Sequence, residues 1–202
     1  MKPAIIKKIK SKKAIVCILG LGYVGLPLML RFVDQGYQVI GIDIDDKKIE
    51  ILNSQFFNIG NSTGADAIDV SKSIVTIKHT NIENVTDKGI SIGENSEAFI
   101  SETTIKSALV GIVSKDSSTV KALNIKLDEI KFADTMSYMK KSHFDGAEIE
   151  AVGLSTNLNN HINQNNSVSS INGLNVKSQK IDVDLLYDTV MDSLKWCLGK
   201  KK

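Results

Sequence analysis

Gly20, Gly22 and Gly25 stand in the spacing G-x-G-x-x-G, within the run Gly20-Leu21-Gly22-Tyr23-Val24-Gly25. Glycines so placed suit a backbone that must close on a phosphate. The first permits a tight turn, the second lets the main chain approach a pyrophosphate, and the third lets a helix pack closely on a strand. The amides near Tyr23 and Val24 would then lie at a helix N-terminus, where unpaired N–H groups attract anions. Asp43 follows 18 residues after Gly25. A carboxylate there would accept hydrogen bonds from adenosine ribose hydroxyls and repel a 2′-phosphate, which favours NAD over NADP. The bare pattern also fits a glycine-rich turn that only packs, so the flanking elements decide.

Those flanks have the required order. Ala14–Gly20 (AIVCILG) has the length and β-branching of a buried strand. Residues 23–35 fit a helix, with Val24, Leu28 and Phe32 along one face and Gly36 as its C-terminal stop. Gln38–Asp43 reads as a second buried strand, and Asp46–Asn53 as a short charged helix with Ile49 and Leu52 turned inward. This strand–helix–strand–helix order opens a parallel α/β sheet. The expected first domain is a Rossmann-like βαβ segment over residues 1–55.

Composition limits the partners. The chain has 202 residues, 42% hydrophobic and 24% charged, with a formal net charge of +2, as expected of a soluble globular protein and not of a nucleic-acid binder. The opening MKPAIIKKIKSKK carries six lysines and no acid, and residues 14–30 carry no charge. Basic flank and apolar run outline an export leader or membrane anchor. Three glycines and a proline in a 17-residue run, with no small-x-small cleavage site after it, favour a cytoplasmic protein without a membrane contact. Cys17 and Cys197 offer neither metal spacing nor a disulfide framework; Cys17, inside the first strand, is expected to be a buried structural thiol.

The stretch KKAIVCILGLGYVGLPLMLRFVDQGYQVIGIDIDDKKIEILN resembles the N-terminus of UDP-glucose/GDP-mannose dehydrogenases. Within that family it is most similar to UDP-N-acetylglucosamine and UDP-N-acetylgalactosamine 6-dehydrogenases of bacterial surface-polysaccharide pathways. The resemblance covers residues 12–54. It implies NAD binding through Gly20, Gly22, Gly25 and Asp43, and an enzyme that oxidises a sugar alcohol to a carboxylate. The family's downstream catalytic cysteine, lysine and asparagine have no counterpart motifs here, nor does its sugar-nucleotide domain. Cys197 lies beside Trp196 without a nearby histidine. No catalytic residue is assigned, and the segment reads as a catalytically incomplete NAD-binding unit.

Beyond residue 56 the pattern changes. Starting at Ala67, Gly89 and Gly111, the chain repeats a strand–turn–strand phrase every 22 residues, with a weaker fourth copy from Asp134. Val75 and Ile77, Ala98 and Ile100, and Val120 and Ala122 would share one interior; a third strand runs near Ile82, Ile105 and Ile125. An antiparallel sheet with evenly spaced turns would share this spacing. Glycine recurring at the strand's phase favours a right-handed parallel β-helix, whose turns must stack to bury their interiors. Phrases such as DKGISIGENS and GIVSKDSS are similar to β-helix segments of pectate-lyase-like shape. The expected organisation is a β-helix of about four coils over 56–156. It is followed over 157–202 by an asparagine-rich stretch that serves as a linker or covers the last coil, a hairpin at Asn172-Gly173 and an amphipathic helix from Val183 to Leu198.

Together these features describe a fusion. The first reading of function is an NAD-binding segment of nucleotide-sugar dehydrogenase type. The alternative is a non-enzymatic β-helix module that contacts carbohydrate or protein. Lys140, Lys141, His143 and Asp145 cluster in the long loop of the fourth copy, where a basic loop could meet an anionic sugar. Asp66, Asp69, Asp87, Glu94 and Asp116, with Lys88 and Lys115, are of the types that β-helix enzymes use. Spacing alone does not place them on one face. His79 and His161 have no partner at metal-ligand spacing, and no metal site is assigned.

Overall fold

The computed structural model describes residues 3–19, 25–42, 49–60 and 64–187. The chain divides into two compact units, Met1–Ile49 and Glu50–Lys202.

The first unit has helix α1 (Pro3–Lys10), strand β1 (Ile15–Leu19), helix α2 (Gly25–Asp34) and strand β2 (Gln38–Ile42). β1 and β2 pair in parallel, from Ile15 opposite Gln38 to Leu19 opposite Ile42. Two hydrogen bonds end α2, from Tyr37 N to Phe32 O (3.0 Å) and from Gly36 N to Val33 O (2.7 Å). They require a left-handed residue, which Gly36 supplies at φ +78°. The expected apolar face of α2 is displaced: Met29, Phe32 and Val33 are half-buried, while Leu28 is exposed.

β1 is covered on one side only. Val16 and Ile18 are sheltered, whereas Ile15, Cys17 and Ile40 are exposed. Cys17 is therefore not the buried thiol expected from its place in a strand. Parallel sheets are normally covered on both faces, but no described residue of this unit covers the second face of the pair.

The second unit is a parallel β-solenoid. It begins at Glu50, not after residue 55. Ile49–Leu52, expected within a helix, is strand β3, which lies beside a later strand. The sequence IEIL satisfies a period of two as well as 3.6, and the neighbouring turn offers a ladder of backbone partners. Leu52 is accordingly exposed.

Three faces build each turn. The first is the six-stranded sheet of β5 (Ile68–Ser71), β8 (Lys88–Gly93), β10 (Val110–Lys115), β12 (Ala133–Tyr138), β15 (His161–Gln164) and β18 (Ser178–Gln179). The second holds β3, β6 (Ile74–Lys78), the first halves of β9 (Glu97–Lys106) and β11 (Thr119–Asp128), β13 (Glu148–Val152) and β16 (Val168–Ile171). On the third are β4 (Gln55–Ile59), β7 (Asn81–Val85), the second halves of β9 and β11, and β14 (Ser155–Thr156).

The interior is a set of stacked ladders. Ile68, Ile90 and Ile112 are in register, as are Ile77, Ile100, Ala122 and Ala151. All of these side chains are buried. Leu127, not Ile125, continues the ladder of Ile82 and Ile105; Ile125 pairs with Thr103. Glycine recurs because of crowding: a Cβ on Gly111 would stand 2.5 Å from Asp134 O and 3.0 Å from Leu127 Cδ1.

Most corners use a left-handed residue, giving vertical rows such as His79, Glu102 and Asn124, or Asn58, Asn84, Ser107 and Glu129. Asparagine tolerates that conformation better than most residues. Asn84 and Asn124 donate across turns, to Asn58 Oδ1 (3.1 Å) and Glu102 Oε1 (2.7 Å).

The asparagine-rich stretch 157–170 is not a linker. It holds β15 and the first part of β16, which pair with β12 and β13 and extend the solenoid to about six turns. The Asn172-Gly173 turn does form a hairpin, in which β16 runs antiparallel to β17 (Leu174–Asn175). Helix α3 is described over Val183–Leu186, capped by Asp182 Oδ1, which accepts from Leu185 N at 3.0 Å. Val190, Leu194 and Cys197 of the expected longer helix lie outside the described residues. Val183, Leu186 and Tyr187 pack on Val110, Val113, Ala133, Met136 and Tyr138, the outward side chains of the first face.

Candidate functional site

The nucleotide fingerprint falls between two elements of the first unit. β1 ends at Leu19 and α2 starts at Gly25, so Gly20, Gly22, Tyr23 and Val24 form the connection; they lie outside the described residues, as does Asp43. The described structure fixes the ends from which they continue. Leu19 and Ile42 are register partners in a parallel pair. Leu19 and Ile42 thus end neighbouring strands at the same, carboxyl, edge, and the glycine run and Asp43 follow them directly in sequence. Ligands of open α/β sheets bind at that edge. The framework fits a dinucleotide with respect to strand order, parallel pairing and a helix starting at the third glycine.

The solenoid gathers a second group of residues. Asp66, Asp69, Asp87, Glu94 and Asp116 all come to the side of the first face and its adjoining corner. Lys88 is 3% exposed. Its Nζ lies 3.1 Å from Asp66 Oδ1 and 2.6 Å from Asp87 Oδ2. Burial opposes the Lys88 charge, but Asp66 and then Asp87 outweigh it and raise its pKa above the usual lysine value. Burial likewise pushes the Asp87 carboxyl up, against the pull of Lys88. Lys115 Nζ reaches Ser91 Oγ (2.7 Å) and Asp69 Oδ1 (3.5 Å). Lys141 pairs with Glu94; this contact lowers the Glu94 pKa and raises that of Lys141.

The long loop of the fourth turn is tied down by Asp116. Its Oδ1 accepts from Lys140 N (2.7 Å) and Lys141 N (2.8 Å). Asp145 N donates to Ser117 Oγ at 2.7 Å, and the His143 ring packs against Phe144. Lys140 extends its ammonium over the Tyr187 ring, 4.0 Å from the centroid, and the Tyr187 hydroxyl meets that of Tyr138 at 2.7 Å. Burial lowers the Lys140 pKa, helped by Lys115 and Lys88.

These carboxylates are engaged by lysines or loop amides, so the group works as an ionic clasp and not as a free acid–base pair. The spacing of 22 between Asp66 and Lys88 was the sequence signal for it. Tyr138 and Tyr187 carried no such signal, because α3 returns to the first face from far along the chain. Among the described residues no group of three or more His, Cys, Asp or Glu side chains is arranged to hold a metal, and no helix is long and apolar enough to cross a membrane.

Comparison with known proteins bears on the first of these two regions. Residues 14–81 match the NAD-binding domain of the UDP-glucose/GDP-mannose dehydrogenase family. NAD is the cofactor of that domain. Similar curated proteins are UDP-N-acetyl-D-mannosamine dehydrogenases. That of Methanococcus vannielii is 32% identical over 82 residues, covering 41% of this chain and 18% of the relative. That of Methanocaldococcus jannaschii is 29% identical over 73 residues (36% and 16%), and that of Campylobacter jejuni 29% over 85 (42% and 18%). The chain therefore spans about a fifth of the length of these relatives, which come from archaea as well as a bacterium. They are named for the mannosamine sugar, where the sequence resemblance pointed to glucosamine and galactosamine enzymes. The match runs past Glu50 into residues that build β3 to β6 of the solenoid. No solved structure matches the chain.

Proposed function

We propose that the first unit is a cytoplasmic NAD-binding segment of nucleotide-sugar dehydrogenase type, related to UDP-N-acetylhexosamine oxidation in surface-polysaccharide biosynthesis. The parallel β1–α2–β2 unit, with the glycine fingerprint at its strand-to-helix connection, carries this reading. Gly20, Gly22 and Gly25 would admit the pyrophosphate, the amides of Tyr23 and Val24 would donate to it, and Asp43 would accept from the adenosine ribose. NAD when bound supplies hydride acceptance. Nothing among these 202 residues is assigned the family's nucleophile, so the chain alone binds NAD without oxidising a sugar.

Thermal unfolding with and without millimolar NAD tests this. Ligand at 100 times its Kd stabilises a two-state unit by about 2.7 kcal/mol. The expected result is an upward shift for the native chain that Asp43→Ala abolishes, with no NADH formed from UDP-N-acetyl-D-mannosamine. Absence of a shift overturns the cofactor assignment, and NADH formation overturns catalytic incompleteness.

A second reading applies to the solenoid, as a non-enzymatic module that contacts carbohydrate. It is favoured by an uncharged cleft at the last turns.

A further inference from the structure

The third face of the solenoid ends one strand early. β14 is its last member, because the chain makes the Asn172-Gly173 hairpin after β16 instead of continuing round the corner. A cleft of about 650 Å³ opens where the missing strand would lie, a size suited to a small ligand. Its walls include Ser155, Asn159, His161, Leu174, Asn175 and Val176.

The supporting residues are held in place. Asn172 makes two bonds to the main chain of Leu154, accepting from its N and donating to its O, both at 3.0 Å. Asp134 is fully buried; its Oδ1 accepts from Thr156 Oγ1 (2.6 Å) and its Oδ2 from Asn160 N (2.8 Å). Both oxygens of the Asp134 carboxylate are thereby satisfied by residues next to the cleft. His161 is turned by its Nδ1 contact with Thr135 Oγ1 at 3.0 Å, which leaves Nε2 without a partner among the described residues.

The lining has a definite chemistry. None of the described residues lining the cleft is Asp, Glu, Lys or Arg. The side chains of Ser155, Asn159 and Asn175 hold no hydrogen bond to another described residue, and each offers neutral donors or acceptors. Leu174, 75% exposed, stands beside them as an apolar plate. Uncharged amide and hydroxyl groups next to an aliphatic surface match a ligand with vicinal hydroxyls on one side and C–H bonds on the other. An ionic ligand would gain nothing here and would lose hydration. Asn172 holds the main-chain N–H and C=O of Leu154, so a peptide strand could pair at this edge only along the two residues of β14.

We infer that this cleft is a binding site for a neutral saccharide, read through the amides of Asn159 and Asn175 and the face of Leu174. The inference rests on the reading of the solenoid as a carbohydrate module. Because the floor is tied by internal hydrogen bonds, binding needs little reordering of the protein.

Saturation-transfer NMR and titration of the full chain with chitotriose, maltotriose and polygalacturonate form the test. Binding of a neutral trisaccharide is expected, weakened at least about fivefold by Leu174→Ala and by Asn175→Ala, each the loss of one modest contact. Both side chains are exposed, so circular dichroism and melting should stay native in these variants. Neutral-sugar binding that the two substitutions leave unchanged overturns the cleft and leaves the module reading standing. So does binding of polygalacturonate alone. No binding of any of the three at millimolar concentration overturns both.

Discussion

Isoleucine behaves oppositely in the two units. Ile15 of β1 is 58% exposed, while Ile100 of β9 is 1% exposed. Both occupy short apolar strands in parallel sheets. Among the described residues β1 has one strand partner and one covering helix, and Ile15 is left exposed. β9 has a strand on each side and a closed interior behind it. The first unit thus carries an informative motif on a sheet of two described strands, and the second carries a closed core built from stacked ladders. Residues that specify chemistry and residues that specify stability follow separate patterns, and here they occupy separate units.

The largest effect should come from the buried ion cluster. Lys88→Ala leaves Asp66 and Asp87 without their cation and should destabilise the solenoid by about 3–5 kcal/mol. Asp87 already has a raised pKa. Losing Lys88 raises it further, and a raised folded-state carboxyl favours folding below its unfolded value of 3.8 and loses that benefit as pH rises. The variant's deficit should therefore shrink on acidification from neutral pH toward 4, read by urea unfolding. An equal deficit at both ends of that range would mean that packing, not charge, is what Lys88 contributes.

Truncating one isoleucine in each unit gives a matched pair. Ile100→Ala should cost about 2–5 kcal/mol in the solenoid transition. Ile15→Ala should stay within about 0.5 kcal/mol of native. A large cost at Ile15 would show that its face is covered in solution.

Tyr187→Phe comes next. It removes the partner of the buried Tyr138 hydroxyl and should cost about 1–3 kcal/mol, with α3 more open to proteolysis. The smallest effect belongs to His161, whose pKa burial holds below its ordinary 6.5. The unfolded chain binds the proton more readily, so stability should fall as pH drops from 6.5 through the folded value. His161→Gln should flatten that slope in denaturant titrations.

Much of the solenoid was legible because its repeat is physical: 22 residues are one circuit of three strands, and Gly89 and Gly111 recur where backbone and Ile105 or Leu127 leave no room for a Cβ. The stretch 157–170 was not legible. Its asparagines resemble a linker by composition, but several of them support turns and the cleft floor, tasks visible only beside the preceding turn. IEIL was misread because periodicity over four residues cannot separate helix from strand, and the neighbouring β6 decided the matter. Cys17 was misjudged for a related reason: strand membership implies burial only when both faces are covered.

By itself the sequence determined the local grammar. The glycine spacing, the strand order β1–α2–β2, the 22-residue repeat and the Asn172-Gly173 hairpin all rest on backbone conformation and short-range side-chain pattern. Tertiary structure alone decided which distant residues meet. It set Asp66 and Asp87 on Lys88, brought Tyr187 back over Lys140, and left the third face one strand short beside Leu174. Such meetings depend on how many turns stack and where the last one stops, and no local pattern encodes that count.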